Sequence, residues 1–139
     1  MITAEELAAG RTLAEAQGMT ASISEAIAAL AGEALVADRL EAARRILEGL
    51  VATNPRDPVA WALLSTAFRR RGEPEAARIC AEAAVRLAPG EPQVRLVRAE
   101  AMLAGEAERP EGRSELQGLA GQAGAVGDRA RALLRALGR

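Results

Sequence analysis

The chain has no histidine, no lysine and no tyrosine, one cysteine, and only two aromatic residues, Trp61 and Phe68. Each absence excludes something. Histidine is the commonest general base and metal ligand, and lysine is the usual Schiff-base nucleophile. Without them little catalytic chemistry is left, and no carboxylates pair in a way that would supply it. The glycines near the C-terminus follow no strand, so they lack the context of a phosphate-binding loop. Cys80 alone makes no intramolecular disulfide, which fits a reducing compartment. No stretch approaches the roughly 20 apolar residues that span a bilayer. The opening residues, Met1 to Glu6, lack the basic flank and apolar core of a secretion signal. A net charge of −1 offers no basic surface for nucleic acid or an anionic membrane. These readings converge on a cytoplasmic protein that is not an enzyme, with no cofactor, no metal, no nucleic-acid partner and no stable membrane insertion.

What is present is alanine, leucine, valine and arginine in a chain of 139 residues, half of them hydrophobic. That length suits one domain with a real core. Few β-branched residues and many alanines favour helix. Charge is uneven: residues 1–38 hold six acids against one arginine, and residues 109–139 hold six arginines against three acids. Solvated surfaces account for this, as would head-to-tail attraction in an assembly.

The sequence repeats every 34 residues, as Pro55 and Pro89, Ala43 and Ala77, Leu30 and Leu64, and Pro58 and Pro92 show. Ala31, Ser65 and Ala99 form a small-residue series at that spacing, and Ala34, Phe68 and Met102 another. This is the signature of a tetratricopeptide repeat, a helix pair that buries its apolar face only by stacking on neighbours. The expected fold is all-α: a right-handed superhelical stack of three helix pairs, with an N-terminal helix and a C-terminal capping helix. Residues 1–22 form the N-terminal part, with a helix over 4–16 and a break from Gly18 where Ser22 or Ser24 caps the next helix. Residues 23–139 form the repeat domain, with repeats near 24–57, 58–91 and 92–120.

In repeat one, Ile27, Leu30, Ala31 and Ala34 share the inner face of the first helix, and Ala43, Leu47 and Leu50 that of the second. In repeat two, Trp61, Leu64, Ser65 and Phe68 face inward and Gly72 ends the helix. Ala43 and Ala77 mark places where two helices cross closely. Repeat three is worn: Arg95 and Arg98 stand where Trp61 and Leu64 stood. One inserted residue in the turn 105–110 brings Gly112, Leu116 and Leu119 into register. A glycine-rich stretch from Gly118 to Gly127 follows. Asp128 then caps a last helix, 128–137, which covers the exposed end of the stack. Cys80 reads as a packed, inert thiol.

In stacks of this kind the first helix of each pair lines the concave groove. Those positions hold Ala28 and Leu35 in repeat one, Ala62, Leu63, Thr66 and Arg69 in repeat two, and Leu96 and Val97 in repeat three. The groove is mainly apolar and lined with small residues, and it lacks the lysine and asparagine that grip acidic tails. It suits an extended apolar segment, although packing against neighbouring helices would also use these side chains. Arg69 to Arg71 either anchor an acidic partner residue or answer the helix dipole.

With the repeats placed, the chain resembles the class II chaperones of bacterial type III secretion, which guard the pore-forming translocators. The resemblance rests on Gly10-Arg11-Thr12-Leu13-Ala14, then Ile23 and Leu30-Ala31, then Glu91-Pro92 and Ala99-Glu100-Ala101-Met102-Leu103, and finally Arg129 to Leu137. It implies a chaperone whose groove takes an extended segment of a secreted translocator-like client. It also implies a homodimer formed through the N-terminal helix, with Leu7 and Leu13 as the contact residues. The other reading open to such a repeat is a scaffold or adaptor in another secretion, pilus or envelope assembly.

Overall fold

The computed structural model describes residues 4–5 and 21–138. Among them are seven α-helices and no strand: α1 (Ala21–Val36), α2 (Leu40–Thr53), α3 (Pro58–Arg70), α4 (Pro74–Leu87), α5 (Pro92–Met102), α6 (Arg109–Leu119) and α7 (Ala125–Leu137). Successive helices pair as α1/α2, α3/α4 and α5/α6, each pair packs on the next, and α7 closes the end against α5 and α6. This is the all-α superhelical stack that the 34-residue period predicts.

Helix boundaries follow local chemistry. Pro58, Pro74 and Pro92 open α3, α4 and α5, where the missing N–H has no intrahelical partner to lose. The Asp57 carboxylate caps α3 by accepting from the N–H groups of Val59 and Ala60, at 2.9 and 3.4 Å. At the other end Gly72 turns left-handed, with φ +80°. Its N–H donates to the Arg69 carbonyl at 3.1 Å, and the Glu73 N–H to the Phe68 carbonyl at 2.9 Å. This pair of bonds is a Schellman turn, and glycine adopts its φ without a Cβ penalty. The same turn recurs one period earlier at Asp38, φ 58°, with bonds from Asp38 to Leu35 (3.0 Å) and from Arg39 to Ala34 (2.8 Å). Aspartate is among the few residues that tolerate this conformation.

Small residues set the helix crossings. Ala43 and Ala77 are fully buried. Gly112 takes that place in repeat three, where a Cβ would sit 3.0 Å from both the Ala99 carbonyl oxygen and the Met102 Cβ. The inserted residue in the preceding turn therefore restores register as expected. Ser65, in the middle of the small-residue series, donates its hydroxyl to the buried Ala77 carbonyl at 2.7 Å, tying α3 to α4. Leu47, Leu116 and Leu119 are fully buried; each such side chain stabilises the stack by about 1.5–3 kcal/mol. The Trp61 indole N–H donates to the Pro55 carbonyl at 2.8 Å and holds the loop between repeats one and two. In repeat three, Arg95 pairs with Glu115 at 2.6 Å, and Arg98 with Glu82 at 2.8 Å. Ion pairs thus replace the aromatic and aliphatic contacts made one period earlier.

Three local expectations are corrected. Ser22 and Ser24 do not cap α1 but lie within it, and Ser24 is buried. Leu30 does not join the inner face: it is 58% exposed. Its periodic equivalent Leu64 clusters with Ala43 and Leu47 of the preceding pair, whereas α1 has no preceding pair among the described residues. Asp128 does not cap the last helix. That helix starts three residues earlier, after Gly124, because Val126 packs onto the Leu116–Leu119 cluster and extends it by a turn. The N-terminal helix, with Leu7 and Leu13, lies outside the described residues apart from Ala4 and Glu5.

Candidate functional site

The first helices of the pairs lie side by side, α1 against α3 and α3 against α5. Two open depressions run along them and meet at Val59. The one between α1 and α3, about 340 Å³, is lined by Ala21, Ser24, Glu25, Ala28, Asn54 and Asp57 with Val59, so that four polar side chains share its lining with three apolar ones. The one between α3 and α5, about 290 Å³, is mostly apolar: Ala62, Leu63, Thr66, Val94 and Val97 form its floor and walls, with Glu91 and Gln93 at one end. Val59 is 52% exposed between them, so together they form one groove crossing the first helices of all three repeats.

The structure brings Ala62, Leu63, Thr66 and Val97 together in the depression between α3 and α5, and places Ala28 in its neighbour between α1 and α3. It does not bring Leu35 or Leu96 there. Leu35 is buried with Leu47 and Leu64 in the core of repeats one and two. Leu96 is buried with Leu116, Leu119 and Ala130 beneath α7. The sequence counts both as groove positions because it registers helix phase alone, and the neighbouring α7 turns the Leu96 position into core. Arg69 lies one turn beyond Thr66 and pairs with Glu100 at 3.2 Å.

The chain is similar to known proteins in part of its sequence and in its fold. Residues 58–101 match the tetratricopeptide repeat family. No curated protein matches the chain in sequence. Among solved structures, the type III secretion translocator chaperone SycD of Yersinia enterocolitica is 20% identical, with a TM-score of 0.75 over 90% of this chain and 97% of that one. A type III secretion complex from Aeromonas hydrophila is 20% identical, with a TM-score of 0.78 over 95% and 91%. PcrH in complex with the chaperone binding region of PopD is 21% identical, with a TM-score of 0.65 over 86% and 93%. The chain shares its fold with these proteins.

The arginine run beside the groove is fully engaged. Arg70 donates to the Leu35 carbonyl at 2.7 Å and pairs with Asp38 at 2.9 Å. It therefore caps the C-terminus of the neighbouring α1, not its own helix. Arg71 pairs with Glu41 and Glu73 at 3.3 and 3.2 Å. The sequence reading missed Arg129 of α7, whose Nε donates to Glu100 at 2.8 Å. Nothing in the 34-residue period signals that contact, because α7 lies outside the repeats.

No group of three metal-ligating side chains occurs among the described residues, and no helix among them is long and apolar enough to cross a membrane. Cys80 is 5% exposed, and burial pushes its thiol up from 9.0 to about 11. The folded state thus holds the proton more tightly than the unfolded chain. Stability from this group is complete below pH 9 and falls as pH rises from 9 towards 11, where only the unfolded thiol ionises. The expected result is that a thiol-specific disulfide reagent leaves Cys80 unmodified in the native protein at pH 8 and modifies it at once in denaturant. Prompt native reaction would contradict the packed-thiol assignment.

Proposed function

We propose that the protein is a cytoplasmic chaperone for a secreted translocator-like client, and not an enzyme. It binds an extended apolar segment of that client in the groove formed by α1, α3 and α5. The observation that carries this reading is the apolar depression of Val59, Ala62, Leu63, Thr66, Val94 and Val97. That depression is open to solvent in a fold shared with a chaperone solved together with its client's chaperone binding region. A membrane-seeking segment exposes apolar surface that associates wrongly until it is covered, and a groove whose floor and walls are mainly Ala62, Leu63, Val94 and Val97 offers it apolar cover. Co-expression with translocator-like proteins encoded beside its gene tests the reading. The expected result is a co-purifying complex that is soluble where the client alone is not. Failure of any such protein to co-purify would overturn it.

The homodimer belongs to the same proposal, with Leu7 and Leu13 of the N-terminal segment at its contact. Light scattering on the full chain and on a chain lacking residues 1–20 checks it. The expected result is a dimer for the first and a monomer for the second; equal masses for the two would remove the N-terminal contact.

A further inference from the structure

One end of the groove carries a charge arrangement that the apolar reading does not use. Glu100 is held between two arginines from different helices. Its Oε2 faces Arg69 of α3 at 3.2 Å, and its Oε1 accepts from Nε of Arg129 of α7 at 2.8 Å. The Glu100 side chain is 11% exposed, that of Arg69 28% and that of Arg129 51%. Both carboxylate oxygens are thus occupied. Two cations around one anion leave the cluster with one net positive charge. Among the described residues the two terminal nitrogens of Arg129 have no partner, and its guanidinium is half in solvent. A guanidinium anchored through Nε presents those two nitrogens as a fork that matches a carboxylate.

The cluster's place relative to the depression is fixed by helix geometry. Thr66 and Arg69 are three residues apart on α3, and Val97 and Glu100 three apart on α5. Both steps run towards the helix C-termini, about 4.5 Å along each axis. The cationic cluster therefore stands one turn beyond the apolar floor, at the end opposite Glu91 and Gln93.

We propose that Arg129, braced by Glu100 and assisted by Arg69, receives an acidic side chain of the bound segment, so that the groove reads an aliphatic residue followed at fixed spacing by an aspartate or glutamate. This rests on the peptide-groove reading above and extends it. It gives α7 a part in recognition beyond covering the end of the stack, and it sets the direction in which the segment lies, since the opposite end of the depression carries Glu91. Arg129 is a specificity-determining residue here, and Glu100 is a positioning residue that acts through it.

The test is selection from a random peptide display library on the full chain, with Arg129→Glu selected in parallel and circular dichroism confirming its fold. The expected result is enrichment of aliphatic residues on both proteins. Aspartate or glutamate is enriched at one fixed offset on the parent protein, and lysine or arginine replaces it on Arg129→Glu. A selected peptide, remade with its acidic residue as the amide, should bind the parent about fivefold more weakly, the size of a partly screened charge pair. That arm needs no protein variant. Aliphatic enrichment without an acidic position, or an acidic position unchanged by Arg129→Glu, overturns the cationic end and leaves the apolar groove standing. No enriched peptide at all overturns the groove reading and this one with it.

Discussion

Val59→Glu combined with Leu63→Glu abolishes capture of an apolar segment while the helical stack persists. Val59 is half-exposed at the meeting point of the two depressions, and Leu63 is half-buried on the wall of the apolar one. Neither is part of the fully buried core. A bound apolar segment would cover both carboxylates and leave them unpaired, which costs several kcal/mol. At 1.4 kcal/mol per tenfold, the loss in affinity is about a hundredfold or more. Ile79 is a fair control, because it is 70% exposed on α4, away from the groove. Ile79→Glu is expected to leave binding unchanged. Titration of a purified client segment against the three proteins, with circular dichroism on each, checks this. Equal affinities would remove the groove as the binding site.

Ala43→Leu and Ala77→Leu each destabilise the fold, whereas Ala42→Leu does not. Ala43 and Ala77 are completely buried where the two helices of a pair cross. Adding a branched side chain there forces the helices apart, at about 1–3 kcal/mol. At Ala77 it also disturbs the carbonyl that accepts from Ser65. Ala42 is exposed on the same helix as Ala43, and an outward change of this kind stays within about 0.5 kcal/mol. Trp61 is the only tryptophan and packs against the core clusters of two successive repeats. Its fluorescence during urea unfolding reports the difference directly. Similar midpoints for Ala42→Leu and Ala43→Leu would show that the crossings do not govern stability.

Much of this was legible in the sequence, because the period encodes contacts between neighbours of known phase. Ala43, Leu47 and Leu50 of α2 are buried on the face the periodicity gives them, and Gly112 is recognisable as the worn equivalent of Ala43 and Ala77. Two of the misplaced residues share a cause. Leu30 and Leu96 occupy repeat positions whose burial depends on what lies beyond the repeats. At Leu30 no preceding pair stands among the described residues, and at Leu96 α7 covers a position that the period alone leaves in the groove. The cluster of Arg69, Glu100 and Arg129 was hidden for the same reason. Two of its members sit on repeat positions and the third on a helix with no periodic equivalent. Asp128 misled because an acidic residue before an apolar run resembles a cap, while the packing of Val126 starts the helix a turn sooner.

The most direct measurement of the central claim is photo-crosslinking of a co-expressed translocator-like client. A benzoylphenylalanine is placed at Thr66, inside the apolar depression, or at Ala83, on the outer surface of α4. The expected result is a covalent client adduct from position 66 and none from position 83, lost when Val59→Glu is added. An adduct at position 83 with none at 66 would contradict the account, because the client would then be held on the convex face and the groove would have another use.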